Sequence, residues 1–189
     1  MKNKFVFYYI GLVLVVMIAC KISGTNKNNT SNPHKKTYQL SGNITYTSDY
    51  CGGAYPSNNM LQRLATPAPY PGKVFYIRQA ERNDMNSPIL YTIVTDSTGH
   101  YSINLPPGNY CMIDEFRKDT AFIADVYKVD PYNYLQVNDK KCLEDWFNSC
   151  FYGFSIKDSN FVHADFNIHR SCFRPEGVPC ISYIGPMPP

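Results

Sequence analysis

The sequence predicts a mainly β domain, on three observations. Apolar and polar residues alternate over short runs, and residues typical of turns separate those runs. Aromatic residues, with 16 Tyr and 11 Phe in 189 residues, are abundant enough to fill a core. Alternation with a period of two is typical of half-buried strands, because successive side chains of a strand point to opposite faces. This composition also excludes a disordered chain beyond the first segment.

The first strand is predicted over residues 38–46. Its apolar face carries Tyr38, Leu40, Ile44 and Tyr46, and its other face is polar. This pattern predicts that one face lies in the core and the other in water. The next strands are predicted over 73–79 and 89–95, which are rich in Val, Ile, Tyr and Phe.

Residues 96–110 carry the strongest local signal, Asp-Ser-Thr-Gly-His-Tyr-Ser-Ile-Asn-Leu-Pro-Pro-Gly-Asn-Tyr. Asp96 and Gly99 favour a turn, because Asp can accept bonds from nearby backbone and Gly can take a positive φ. An alternating run then predicts a strand over 101–105, and a Pro-Pro-Gly turn precedes another strand over 110–113.

Two short helices are predicted as insertions. Ser57 can cap a helix that ends before Pro67, and Asp139 can cap a second helix over residues 140–147. Within the second helix Leu143 and Phe147 share a face, which predicts packing against the core. Trp146 lies beside that face, and its alternative role is an aromatic platform for a ligand.

The last strands are predicted over 151–156 and 161–168. In the final one, apolar residues alternate with a polar face formed by His163, Asp165, Asn167 and His169. His163 and His169 would be about 20 Å apart at ~3.3 Å per residue, too far to bind one metal ion, although His163 and Asp165 could share one. The preferred interpretation is a solvent-facing polar face, with no metal and no cofactor.

The string over 96–110 resembles the carboxypeptidase regulatory-like domains, which are β-sandwiches of the transthyretin type. The resemblance covers about residues 38–113 and resumes at the last strand. It implies a seven-stranded Greek-key β-sandwich (prealbumin-like), here with one or two short helical insertions and an additional set of cysteines. It implies no particular activity, because such domains serve as structural, adhesive or binding modules.

The N-terminus has the pattern of an export signal. Lys2 and Lys4 precede an apolar run over residues 5–18, which ends at Ala19-Cys20. The run is shorter than the ~20 residues of a membrane-spanning helix, which is the alternative interpretation. The pattern resembles the lipobox of bacterial lipoproteins, in which the cysteine is lipidated and becomes the mature N-terminus.

The predicted organisation therefore has three parts: a signal peptide at 1–19, a disordered tether at 20–36 beginning with the lipidated Cys20, and one domain at 37–189. The tether is assigned because its polar composition cannot bury enough surface to fold. Lys21 is not the acidic residue that often retains lipoproteins in the inner membrane, so the resemblance implies the outer membrane, with the domain facing the periplasm or the cell surface. The net charge of +3 gives no indication of nucleic-acid binding.

Six further cysteines predict three disulfides, because an even number in an exported domain indicates a disulfide framework. They are Cys51, Cys111, Cys142, Cys150, Cys172 and Cys180. A zinc site would usually show closer Cys pairs. A catalytic thiol would need a base, and the candidates are His100, His163 and His169.

The resemblance also implies a disulfide pairing. In transthyretin-like sandwiches the first and last strands run parallel side by side, so their carboxyl ends meet. Cys51 is therefore expected to bond Cys172 or Cys180, which leaves Cys111 to bond Cys142 or Cys150. Cys142 and Cys150 would be ~12 Å apart in one helix and could not bond each other.

No motif of a hydrolase, metalloprotease or phosphate-binding loop is present in the sequence. The predicted function is that of a non-enzymatic envelope lipoprotein, a structural or ligand-binding accessory module. Its expected partners are the membrane, through the lipid on Cys20, and an envelope protein or glycan. The alternative is a small hydrolase of envelope substrates that uses His163, Asp165 or a free cysteine.

Overall fold

A computed structural model describes residues 36–128, 134–158, 161–162 and 164–186. The predicted signal peptide, Cys20 and the tether up to residue 35 lie outside the described residues, as does His163. The strands are β1 (Tyr38–Ser48), β2 (Ala68–Pro69), β3 (Val74–Arg78), β4 (Ile89–Val94), β5 (His100–Leu105), β6 (Gly108–Ile113), β7 (Leu135–Val137), β8 (Tyr152–Ile156), β9 (Phe161–Val162), β10 (Phe166–Arg170) and β11 (Ile181–Tyr183). The helices are α1 (Asn58–Ala65), α2 (Ala121–Val126) and α3 (Lys140–Phe147), with a 3-10 turn at Glu115–Arg117.

Two sheets form a sandwich. In the first, β1 pairs antiparallel with β5 and then β2, and parallel with β9 and then β10. The second sheet is antiparallel with the order β4-β3-β6-β8. Strands β5 and β6 are consecutive in the chain yet lie in different sheets, so the intervening prolines mark a crossing between them. The predicted mainly β sandwich is confirmed, with α2 and several strands of two or three residues in addition.

The core lies between the two sheets. Leu40, Ile44, Phe75, Ile77 and Leu105 have no exposed surface. The predicted apolar face of β1 is buried at Leu40 and Ile44, and Gln39 and Asn43 of the predicted polar face are exposed. Ser41, which the alternation also placed in water, is buried instead, with an exposed fraction of 9 %. Its backbone oxygen accepts a hydrogen bond from Ala164 N at 3.2 Å, because the segment between β9 and β10 packs against this part of β1.

The turn between β4 and β5 forms as its residues predict. The carboxylate Oδ1 of Asp96 accepts bonds from Thr98 N at 2.8 Å and from His100 N at 3.0 Å. Gly99 has a φ of +78°, and a Cβ there would lie 2.3 Å from the carbonyl oxygen of Ile44. Only glycine fits this position, because both the left-handed backbone and the close approach to β1 exclude a side chain.

Both predicted helices are present with their predicted caps. The Ser57 hydroxyl accepts a bond from Met60 N at 3.3 Å, and the Asp139 carboxylate accepts one from Cys142 N at 3.0 Å. Each cap satisfies a backbone donor that the first turn of a helix leaves free.

The prediction of one continuous strand over 161–168 is wrong, because two separate strands, β9 and β10, cover this segment. At the break the Tyr101 hydroxyl donates to the Ala164 carbonyl at 2.8 Å, and Asn43 N donates to the Asp165 carboxylate at 2.7 Å. The backbone of Ala164 approaches β1 so closely that a Cβ on Gly42 would lie 2.2 Å from its oxygen. Tertiary hydrogen bonds therefore replace the ladder at this point.

A second apolar cluster lies apart from the sandwich core. Val126, Leu143, Val178 and Ile181 are buried in it, and we call it the satellite cluster. It is formed by α2, α3 and the segment leading to β11, which pairs with β7. No helix in the described part of the chain is long and apolar enough to span a membrane.

A group of buried polar residues, which we call the polar junction, comprises Arg78, Asn83, Asp114 and Arg117. Asn83 Nδ2 donates to the carbonyls of Arg117 at 2.9 Å and Phe147 at 2.8 Å. Arg117 pairs with the Asp114 carboxylate at 2.7 Å and donates to the Trp146 carbonyl. These bonds connect the loop after β3 to the 3-10 turn and to the end of α3.

Candidate functional site at the ends of the parallel strands

The two parallel strands β1 and β10 end together, with Ser48 in register with Arg170. Asp49 N continues the pairing by donating to the Arg170 carbonyl at 3.0 Å. Just beyond, Cys51 bonds Cys172, with the Cα atoms 5.4 Å apart. This is one of the two partners that the parallel strand ends implied. We call the edge formed by these strand ends and the disulfide the rim.

The other cysteines are also paired. Cys111 bonds Cys150 with a Cα separation of 5.2 Å, and Cys142 bonds Cys180 at 6.1 Å. Cys111 thus has one of its two expected partners. The thiol form of the hydrolase alternative is contradicted, because none of these six cysteines is free to act as a nucleophile.

One side of the rim is a groove of about 910 Å³ between α1 and the strand ends, which we call the helix groove. Helix α1 has no buried residue, so it lies over the rim as a wall rather than as part of the core. Its lining includes Tyr46 and Tyr50 on the strand side, Met60, Arg63 and Leu64 on the helix, and Arg170.

Arg170 is held over aromatic rings in this groove. Its guanidinium carbon lies 5.2 Å from the centroid of the Tyr46 ring and 5.9 Å from that of Tyr70. Its Nε is 3.7 Å from Glu176, whose carboxylate also accepts from Lys73 at 2.6 Å and from the Tyr70 hydroxyl at 2.8 Å. Burial, together with the bond to Glu176, raises the pKa of Tyr70 to about 12. The tyrosine therefore stays a neutral donor at physiological pH.

Asp49, at the end of β1, is also engaged. His169 Nε2 lies 3.0 Å from its carboxylate Oδ1, and His169 Nδ1 lies 3.2 Å from the Thr47 hydroxyl. The imidazole therefore bridges β1 and the loop after it. Asp49, which lines the helix groove, therefore already has a hydrogen-bond partner within the protein.

The other side of the rim is a second groove of about 520 Å³, which we call the aromatic groove. Its lining includes Tyr50, the Gly52-Gly53 loop, Phe173, Arg174 and Tyr183. The rings of Phe173 and Tyr183 stack with centroids 4.9 Å apart. Both grooves include Tyr50 and Cys51, so they adjoin across the disulfide.

Phe173 has an unusual backbone. Its φ is +58°, in the left-handed region that favours glycine, and its side chain is 39 % exposed. It directly follows Cys172, so the disulfide limits how the chain can relax there. Non-glycine residues in this conformation carry strain of about 1–3 kcal/mol and are concentrated at functional sites.

Positive charge predominates along the rim. The charged residues that line the two grooves are Arg63, Arg170, Arg174 and Asp49. The guanidinium of Arg174 is fixed by a bond to the Ser171 hydroxyl at 2.9 Å and by another to the Ile181 carbonyl at 3.4 Å. Arg170 also faces a carboxylate just outside the lining, Glu176 at 3.7 Å, so Arg63 and Arg174 carry the excess of positive charge that favours an anionic ligand.

Of the residues proposed for metal binding or catalysis, the three that the structure describes, Asp165, His169 and His100, do not converge, and His163 lies outside the described residues. The Asp165 carboxylate is occupied by the backbone of Asn43, and His169 contacts Asp49 on the rim. His100 lies beside Asp96 in the turn, with 4.0 Å between its Nδ1 and the carboxylate. Within the described ranges no group of three His, Cys, Asp or Glu residues could hold a metal ion.

Trp146 packs rather than presenting a platform. The Arg117 guanidinium lies 4.2 Å from its ring centroid, and the Phe122 ring lies 6.2 Å away. The indole therefore belongs to the edge of the satellite cluster. This agrees with the packing interpretation of the helix over 140–147.

Sequence reasoning missed the aromatic groove. Phe173, Arg174 and Tyr183 lie about 120 residues from Tyr50, and no local pattern connects the two segments. The expected bond from Cys51 to Cys172 or Cys180 was the available signal, because either partner brings the chain around the last cysteines next to the loop after β1.

No model of a known protein family and no curated protein sequence matches the chain with significance. Among solved structures, the TIE protein of Bacillus anthracis is similar at 15 % identity and a TM-score of 0.32, over 71 % of this chain and 17 % of that one. The shaft pilin SpaA of Lactobacillus rhamnosus GG is similar at 10 % identity and a TM-score of 0.32, over 72 % of this chain and 49 % of the pilin. A double mutant of that pilin gives 0.33, with 50 % of its chain covered. The chain thus spans half or less of each of these proteins, and likeness at these scores carries no weight for fold or function.

Proposed function

We propose that this protein is an exported lipoprotein whose disulfide-bonded β-sandwich is held at a membrane by a lipid on Cys20 and acts as a non-catalytic binding module. The observation that carries the proposal is the set of three disulfides. Such bonds form and persist in oxidising compartments and are rare in the cytosol. The apolar run that ends at Ala19-Cys20 supplies the route of export and the site of attachment.

The position of the rim supports a binding role for an anchored domain. The described chain enters the sandwich at Tyr38, whereas the rim begins beyond Ser48 at the other end of β1. Eleven strand residues span about 33 Å at ~3.3 Å per residue. The point at which the described chain enters the sandwich therefore lies at the opposite end of β1 from both grooves.

We also propose that the domain is related to the carboxypeptidase regulatory-like sandwiches. The string over residues 96–110 supports this, and so does the parallel pairing of β1 with β10. The proposal adds no catalytic activity, because the functions of such a fold are decided by the sites it carries.

The anchor is tested by Cys20→Ala in the full-length chain. Export without lipidation should release the protein from membranes, while the sandwich stays folded because the anchor takes no part in its core. We expect the variant to leave the membrane fraction after an alkaline wash and to lose labelling by an alkyne fatty acid. The matched control is Ser23→Ala, which changes the predicted tether and should stay attached.

Retention of Cys20→Ala in the washed membrane fraction, or equal fatty-acid labelling of both variants, would contradict the lipid anchor. Thiol titration of the denatured, unreduced protein tests the compartment separately. We expect the six domain cysteines to be unreactive when the protein is isolated from its native envelope. Six reactive thiols would contradict export to an oxidising compartment.

A further inference from the structure

We propose that the rim binds an acidic polysaccharide, with one glycan chain crossing from the helix groove to the aromatic groove over the Cys51–Cys172 bridge. The inference rests on the proposed function, because it names the ligand class of that same site. Three independent features of the two grooves support it: a partly exposed aromatic surface, an excess of guanidinium groups, and a lining rich in hydroxyl and amide groups.

The aromatic surface is formed by Phe173 and Tyr183. Their rings lie 4.9 Å apart at 30°, and together they present a partly exposed apolar face. A sugar ring has an apolar face of C–H groups, which can pack on such a surface while its hydroxyl groups remain in water. Phe173 belongs to neither of the two apolar clusters, and its ring is 39 % exposed.

The charges of the rim select an acidic glycan rather than a neutral one. Arg63 and Arg170 line the helix groove, and Arg174 lines the aromatic groove. The single acid of the lining, Asp49, already faces His169 at 3.0 Å. Glu176, just outside the lining, is 3.7 Å from Arg170, so Arg63 and Arg174 carry the excess of positive charge. Guanidinium groups bind carboxylates through paired hydrogen bonds, and a polymer of uronic acids presents a carboxylate on each sugar.

The remaining lining favours a glycan over a protein or a membrane. Ser48, Asn59, Gln62 and Thr66 line the helix groove, and Ser182 lines the aromatic groove. Such side chains can donate to and accept from sugar hydroxyls. The core of a protein interface is depleted of serine, whereas two of these five side chains are serines. Binding to an anionic membrane surface is typical of clustered lysines or an amphipathic basic helix, and among the described residues neither groove is lined by a lysine.

The test is binding of polygalacturonate to the full-length protein in detergent, measured by calorimetry. We expect saturable binding that weakens as salt rises, because exposed charge pairs are screened. Dextran, which is neutral, should bind at least about tenfold more weakly, a difference of about 1.4 kcal/mol. Poly-glutamate serves as one competing class of partner. Vesicles with and without anionic lipid, offered to the Cys20→Ala variant in the absence of detergent, serve as the other, because that variant has no lipid of its own to insert.

Two pairs of variants assign the binding to the rim. Phe173→Gly removes the ring and suits the positive φ, so it should remain folded and lose about tenfold or more in affinity, whereas Phe173→Tyr should bind as the wild type does. Arg174→Ala should also lose about tenfold and reduce the salt dependence. Arg82→Ala is the matched control, since Arg82 is exposed and lies in neither groove.

Absence of polygalacturonate binding, or equal binding of dextran, overturns the proposal. So does equal binding of poly-glutamate, a preference for the vesicles, or full affinity in Phe173→Gly and Arg174→Ala. These outcomes leave the anchor untouched, because fractionation of Cys20→Ala is read without any glycan. Conversely, if the protein proves not to be anchored but still binds polygalacturonate through Phe173, the anchoring proposal fails and the glycan site stands.

Discussion

The core between the two sheets and the satellite cluster differ in how much apolar surface they bury and in which disulfides and polar bonds stabilise them. Among the described residues, fourteen buried side chains form the first cluster and four form the second, so burial alone stabilises the sandwich much more. The satellite cluster adds a disulfide, Cys142–Cys180, and lies beside the polar junction. The sandwich also carries two disulfides, Cys51–Cys172 and Cys111–Cys150, but the satellite cluster has far less buried apolar surface, so its one disulfide and the neighbouring polar bonds make up a larger share of what stabilises it.

The largest difference between the two clusters is expected when one buried side chain is removed from each. Ile77 and Leu143 are both fully buried. We expect Ile77→Ala to lower the free energy of unfolding of the whole domain by about 3–4 kcal/mol, through lost burial and the cavity left behind. Leu143→Ala should instead reduce amide-exchange protection mainly in α3 and β11, because local opening of a small cluster need not unfold the sandwich.

The measurements are urea unfolding and hydrogen exchange resolved by residue. Leu90→Ala is the control, because Leu90 is 44 % exposed on β4 and should change stability little. If Leu143→Ala lowers the midpoint of the whole domain as much as Ile77→Ala does, the two clusters form one cooperative unit and the comparison fails.

The disulfides give a second comparison, at nearly equal loop length. Cys111–Cys150 and Cys142–Cys180 span 39 and 38 residues, so loop-closure entropy alone predicts the same contribution, about 4 kcal/mol each. Cys111 is fully buried in β6, whereas Cys142 lies on the partly exposed surface of α3. Replacing both Cys111 and Cys150 by serine should therefore cost more global stability than replacing Cys142 and Cys180.

Thermal unfolding of the two double variants checks this order, and hydrogen exchange locates the loss. We expect replacement of Cys142 and Cys180 to reduce amide-exchange protection in α3 and β11, while β3 and β6 keep theirs. Equal shifts of the melting midpoint, with the same pattern of exchange, would show that loop entropy outweighs the local environment.

The polar junction predicts a smaller effect. Asn83→Ala removes two donors and leaves the buried carbonyls of Arg117 and Phe147 without this partner. We expect a loss of about 2 kcal/mol in the free energy of unfolding, because an unsatisfied buried acceptor costs about 1–3 kcal/mol. Asn86→Ala, at an exposed position in the same loop, is the control. Equal stability of both variants in urea would argue against a structural role for the junction.

The smallest expected effect is the loss of stability in acid that comes from Asp96, in the turn between β4 and β5. Hydrogen bonds from the Thr98 hydroxyl, and from the N–H groups of Thr98 and His100, hold the pKa of Asp96 below its ordinary value of 3.8. Its contribution to stability is therefore complete above that value and is lost as pH falls through the lower folded pKa. Asp96→Asn should unfold with a shallower dependence on pH below about 4. An unchanged slope in urea unfolding across that range would rule this out.

Local patterns predicted much of the sandwich. Alternation located the buried side of β1, and Ser57 and Asp139 marked the starts of α1 and α3. These features could be read because caps and strand periodicity depend on residues close together in the chain. The bond between Cys51 and Cys172 also followed, once the strand order implied by resemblance placed their strand ends together.

The sequence by itself determined most of the residues that face the core and where two of the helices begin, and the resemblance it carries placed Cys51 near the cysteines that follow β10. Only the tertiary structure decided that β5 and β6 lie in different sheets, that the strand predicted over 161–168 is interrupted at Ala164, and that Phe173 and Tyr50 line the same groove. The reason is physical. Periodicity reports that a side chain is covered, but the partner that covers it is chosen by contacts between segments more than a hundred residues apart, and those contacts form only when the sandwich closes.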